Sequence, residues 1–119
     1  MTDLLQSAAI WLAGKRKAHA GQPVTYQRGD LSVALTATVG RTEWESASAD
    51  GTVVRFKTRD WIVTAADLAV DGVLLVPAHG DRIVMADGVR YEVSAPAGQA
   101  VWQWSDEFDV SRRIHTKCV

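Results

Sequence analysis

Three histidines and one cysteine are the residues in this sequence best suited to metal binding or nucleophilic chemistry, and their spacing supports neither. His19, His79 and His115 lie far apart and share no ligand spacing. With a single thiol, Cys118, no thiolate zinc site of the usual kind can form. His115 and Cys118 are near enough in sequence to suggest a thiol nucleophile with its base. Their segment alternates like a strand, however, and an odd spacing in a strand puts the two side chains on opposite faces. Asp, Glu and Ser are plentiful, but no pair stands out as acid and base. A carboxylate–histidine pair assembled by folding stays open, with no motif to announce it. No glycine cluster follows a strand and opens a helix, so there is no phosphate cradle. Arg28-Gly29-Asp30 matches a tripeptide bound by integrins, but a hairpin turn explains Gly29 and Asp30 fully, and the match is read as coincidence. The sequence thus points to no catalytic residue, no metal and no cofactor.

Binding chemistry has better candidates. Ser46, Ala47, Ser48, Ala49, Asp50 and Gly51 form a polar stretch of small residues that suits a mobile hairpin tip. A second loop is expected at 94–100, around Pro96 and Gly98. Trp102 and Trp104 fall on the same face of a short strand, beside a loop containing Asp106, Glu107 and Asp109. Clustered exposed aromatics suit a protein contact; the plainer reading is that they cover the end of a barrel. Arg55, Lys57 and Arg59 alternate on one strand face. With Tyr91, Trp102 or Trp104 they are the best support for a nucleic-acid-binding barrel, in which aromatics stack bases. A solvated sheet face explains the same alternation.

The elements that must position these residues follow from periodicity. Leu4, Leu5, Ala8, Trp11 and Leu12 fall on one face of a helix over residues 3–20. Thr2 can cap it, Lys15, Arg16, Lys17 and His19 suit its negative end, and Gly21 and Pro23 stop it. From Pro23 the period becomes two. Val24 and Tyr26 lead to a turn at Gly29-Asp30, and a strand follows from Leu31 to Val39. Gly40 punctuates before a short strand from Arg41 to Glu45. Thr52 to Thr64 reads as a long strand with a bend near Asp60, and residues 64–68 as a helical turn. Asp71-Gly72 turns into a short strand from Val73 to Val76. Asp87-Gly88 joins the runs Arg82–Met85 and Val89–Val93, the clearest hairpin in the chain. Val101 to Trp104 and Arg112 to Val119 are the last strands. The fold class expected is mainly β: an N-terminal α-helix, residues 1–22, packed on a small antiparallel β-barrel or sandwich of about seven strands, residues 23–119.

The whole sequence sets limits on these readings. Its 119 residues suit one domain. A hydrophobic fraction of 47% with 23% charged residues is that of a globular chain, which argues against overall disorder. Thirteen Lys and Arg against 14 Asp and Glu leave a formal charge of -1, with no electrostatic footprint for nucleic acid or anionic membrane. The start does not read as a signal peptide, because its basic cluster follows the apolar residues. No apolar run reaches the length of a membrane span, and synthesis in the cytoplasm is expected.

One longer pattern runs through the second half. It comprises Arg59-Asp60-Trp61-Ile62-Val63, Asp67-Leu68, Gly72, Pro77, Gly80-Asp81-Arg82-Ile83 and Gly88-Val89-Arg90-Tyr91-Glu92-Val93, with a last strand at 112–119. It resembles the head–tail joining proteins of tailed phages, also called head-completion or stopper neck proteins. The resemblance covers about residues 55–119. It implies a small β-barrel, not an enzyme, that assembles as a ring between a DNA-filled head and the tail of a phage or prophage. The implied partners are portal or adaptor proteins, tail proteins and further copies of the chain, with packaged DNA close by and no membrane. The implied location is the virion neck, after assembly in the bacterial cytoplasm. Two other readings stay beside it: a nucleic-acid-binding barrel, and a small enzyme whose site is gathered from scattered residues.

Overall fold

The computed structural model describes residues 6–12, 21–96 and 98–119. Residues 6–12 are helical, and the remainder of the expected helix, with its basic cluster, lies outside the described residues. Within the described turns Ile10, Trp11 and Leu12 are 55, 61 and 59% exposed.

Among the described residues nine strands follow: β1 Gln22–Arg28, β2 Leu31–Ala47, β3 Val53–Thr64, β4 Ala69–Val70, β5 Val73–Leu74, β6 Arg82–Met85, β7 Arg90–Val93, β8 Trp102–Trp104 and β9 Ser111–Cys118. The sheet runs β3-β2-β1-β6-β7-β9, and β9 pairs back onto β3, closing a six-strand antiparallel barrel. β8 is an extra strand. It joins the edge of β9 that β7 also occupies, but further along, with Trp102 opposite Ile114 where β7 places Val93 opposite Thr116. β4 and β5 form a small separate hairpin after the 3₁₀ turn Ala65–Asp67.

Alternation in the strands fills the barrel. Val24 and Tyr26 of β1, Ala37 of β2, Trp61 and Val63 of β3, Ile83 of β6, Tyr91 and Val93 of β7 and Ile114 of β9 make one core, with Leu68 at its end. Each large side chain buried there contributes about 1.5–3 kcal/mol. The Trp61 ring meets Tyr91 edge-on, centroids 5.4 Å apart, an arrangement that suits the charge distribution of aromatic rings.

One boundary differs from the pattern in the sequence. β2 does not break at Gly40 but continues to Ala47, and Gly40 pairs in register with Asp60. A Cβ at this position would lie 3.1 Å from Nη1 of Arg113. The glycine marks a close approach of side chain to backbone rather than a turn.

Candidate assembly surface

β2 and β3 outlast the barrel. β1 leaves β2 at Ala37, and β9 leaves β3 at Arg59, but β2 and β3 stay paired from Arg41↔Arg59 to Ala47↔Val53. The result is a two-stranded arm about 20 Å long. Its faces follow from the period of two. One carries charges, with Glu45 3.0 Å from Arg55 and Glu43 3.7 Å from Lys57. The other carries Trp44, Val54 and Phe56. Every residue from Val53 to Lys57 is exposed; Val53, Val54 and Phe56 reach 54, 51 and 37%.

At the tip the expected loop is shorter than 46–51. Ser46 and Ala47 belong to β2, while Ser48, Ala49, Asp50 and Gly51 make the turn. The turn is internally bonded: Ser48 N–H donates to Thr52 O at 2.8 Å, and Thr52 N–H to Asp50 Oδ1 at 3.0 Å. The Ser48 hydroxyl also donates to Asp50. These bonds, that of Ser48 first, hold the exposed Asp50 carboxyl down at about 2.

The base of the arm is clamped to the barrel by a polar cluster on the outer face. Asp60, 0% exposed, accepts from Nδ1 of His115 at 2.8 Å, from Nη1 of Arg113 at 2.9 Å, from the Thr58 hydroxyl at 2.8 Å and from the Thr42 hydroxyl. Burial alone would raise its carboxyl; the bonds from His115, Thr42, Arg113 and Thr58 outweigh burial and bring it to about 2. His115, 1% exposed, has its ring against the edge of Trp44, centroids 5.0 Å apart, and Trp44 Nε1–H donates to Thr58 at 3.1 Å. His115 also pinches the second loop. Its C=O accepts from Ser94 N–H at 3.0 Å and its N–H donates to Val101 O at 2.8 Å, which fixes both ends of the excursion between β7 and β8.

Folding has therefore brought together a carboxylate–imidazole pair. As chemistry it is a clamp. The nearby Thr58 and Thr42 hydroxyls donate to Asp60 rather than to the ring. His115 and Cys118 do not meet: one is buried and the other exposed. Among the described residues no group of three or more His, Cys, Asp or Glu could hold a metal ion. None of their helices is long and apolar enough to cross a membrane.

Trp102 and Trp104 sit elsewhere. They pair with Ile114 and Arg112 of β9, level with Trp61 to Val63 of β3 and about 30 Å along that strand from the arm tip. Their rings are edge-on at 5.1 Å and both cover the Arg112 guanidinium, at 4.6 and 4.9 Å. Arg112 is 6% exposed; its Nη1 donates to Leu75 O at 2.6 Å, and its buried Nε has no hydrogen-bond partner among the described residues. The two indole faces offset part of the cost of burying that charge. Arg28 grips the same segment, donating from Nη2 to Val76 O at 2.5 Å and to Asp81 at 2.8 Å. The Tyr26 hydroxyl donates to Asp81 as well; burial, then that bond, pushes the phenol up. At Asp81 burial works upward, but the bonds from Arg28, Tyr26 and the Ala78 N–H leave the carboxyl below its usual range. Two arginines thus fix a segment that displays Val73, Leu74 and Val76 to solvent. The tip and the tryptophans, both contact candidates from sequence, are not brought together by the fold.

The sequence named His115, Asp60 and Asp81 but gave neither them nor Arg112 a place in these clusters. The available signal was polarity inside apolar runs, as in Asp60 beside Trp61-Ile62-Val63 and His115 beside Ile114. It marks burial without naming partners.

The fold and surface define a small closed β-barrel that carries a clamped, projecting two-stranded arm. The family model described as phage head–tail joining protein matches residues 2–119, nearly the whole chain. The chain belongs to that family, whose members are structural proteins of the virion that meet head and tail components. A comparison with curated protein sequences gives no match.

Proposed function

We propose that this chain works in the virion neck, assembling as a ring that docks on the portal or adaptor of the filled head and receives the tail. The observation that carries this reading is the arm. A ribbon with both faces in water is marginal by itself, and a chain keeps one when a partner completes it. The tip 48–51, the loop 94–100 and the Trp102–Trp104 end offer contacts on both sides of such a ring. Assembly takes place in the bacterial cytoplasm, and the tip lies closest to packaged DNA.

A nucleic-acid reader gains little from the structure, because Arg55 and Lys57 face Glu45 and Glu43 across the arm. Affinity capture of the tagged chain from an induced lysate of its source strain, with mass spectrometry of what binds, tests the proposal. Portal, adaptor or tail proteins are expected. Recovery of nucleic acid or metabolic enzymes with no virion protein would overturn it.

A further inference from the structure

Both long edges of the arm are open among the described residues. Beyond Ala37 no strand pairs the second edge of β2, and before Arg59 none pairs that of β3. Open edges present rows of unpaired backbone donors and acceptors, and proteins ordinarily cover or disrupt them. The two edges also differ in charge on one face. β2 brings Glu43 and Glu45, with Arg41 at the base; β3 brings Arg55, Lys57 and Arg59.

We infer that the occupant of these edges is a second copy of this chain, joined head to tail, the β2 edge of one arm pairing with the β3 edge of the next. Charge and edge use favour this arrangement. A two-fold contact between β3 edges would set Arg55, Lys57 and Arg59 against one another, and like charges directly opposite in a sheet are destabilising; one between β2 edges would leave the basic β3 edge of each arm unpaired. A head-to-tail contact sets the acidic strand beside a basic one. Strand direction agrees. Around a rotation axis all arms point the same way, so β2 of one copy runs antiparallel to β3 of its neighbour, the pairing each already makes inside its own arm. A contact between two different edges repeats until it closes, which gives a ring. Each arm then gains two ladders, and its exposed strands become interior strands of a continuous sheet.

The inference rests on the ring reading above but not on the identity of the head and tail partners, so the two fail separately. Equal amounts of ¹⁴N- and ¹⁵N-labelled protein are mixed at high concentration and treated with a zero-length carbodiimide, which couples carboxylates to amines. Mixed-isotope cross-links from Glu43 or Glu45 to Lys57 are expected, together with a ladder of oligomers. Same-isotope links alone, or links between copies that avoid the arm, would overturn the proposal.

A second measurement uses the four-fold swap E43K/E45K/R55E/K57E, which keeps opposite charges facing each other within the arm. The swapped chain is expected to associate with itself as wild type does. In a mixture of differently tagged chains, recovery of hetero-oligomers is expected to fall at least ten-fold below random mixing. Free mixing of swapped and wild-type chains would overturn head-to-tail edge pairing even if oligomers form. Neither readout involves a portal or tail protein.

Discussion

The barrel and the arm are made from the same two strands, and they differ in everything except covalent continuity. Inside the barrel β3 has β2 on one edge and β9 on the other, and Trp61 and Val63 lie within a core closed on all sides. A few residues earlier, Val53 to Lys57 have one neighbour strand among the described residues and are all exposed. The barrel is closed within the single chain, whereas the arm keeps open edges. In the function proposed above, stability and recognition fall on different stretches of one hairpin, with the Asp60 cluster as the border between them.

The largest effect that separates the two belongs to the core. Trp61→Ala is expected to cost about 3–5 kcal/mol, read from chemical denaturation, because a buried indole leaves a cavity that a closed barrel cannot collapse. Next comes the border. Asp60→Asn removes the charge that faces Arg113 and His115, with an expected loss of about 3 kcal/mol. It should also speed hydrogen exchange at Trp44 and Phe56 more than at Val63 and Ile114, which a role confined to the barrel would not do.

Acid should sharpen the contrast. The Asp60 carboxyl is held at about 2, below its ordinary 3.8, and Asp81 is shifted the same way. The stabilisation from Asp60 is present above the ordinary value and is lost as pH falls from about 4 toward about 2, and that from Asp81 is lost as pH falls below the ordinary value. Thermal melts over that interval should fall less steeply for Asp60→Asn than for wild type. Smallest for stability are changes on the arm. Phe56→Ala, or replacement of the tip 48–51 by Asn-Gly, should move the denaturation midpoint by less than about 0.5 kcal/mol. The same variants should fail to capture head or tail proteins. A large stability loss from either would mean that the arm belongs to the barrel after all.

The body of the fold was legible in the sequence because it obeys local rules. Asp87-Gly88 between two apolar runs could only be a hairpin, and it is one, β6 to β7. Gly29 takes a φ of 56° at the turn where Gly29-Asp30 predicted it. The arm was half legible: the alternation of Arg55, Lys57 and Arg59 with Val54 and Phe56 was plain, and the faces came out as read. The continuity of β2 through Gly40 was hidden, because a glycine that ends a strand and one that admits an arginine look the same in sequence. The Asp60 cluster was not legible, since Asp60 and His115 are 55 residues apart and meet only when β9 docks on β3. Folding decides that pairing, and no spacing rule anticipates it.

β9 has a consequence for timing. It is synthesised after every strand it joins, and it carries Arg113 and His115 for the arm base, Ile114 for the core and the backbone pinch on the loop between β7 and β8. A closing contact across so much chain must first overcome the entropy of a long loop, so it comes late in folding. Until then the nascent chain has β2 and β3 as a hairpin without its anchor. An unfinished chain on the ribosome therefore displays no fixed arm; the strand order places the anchoring of the arm at the end of synthesis.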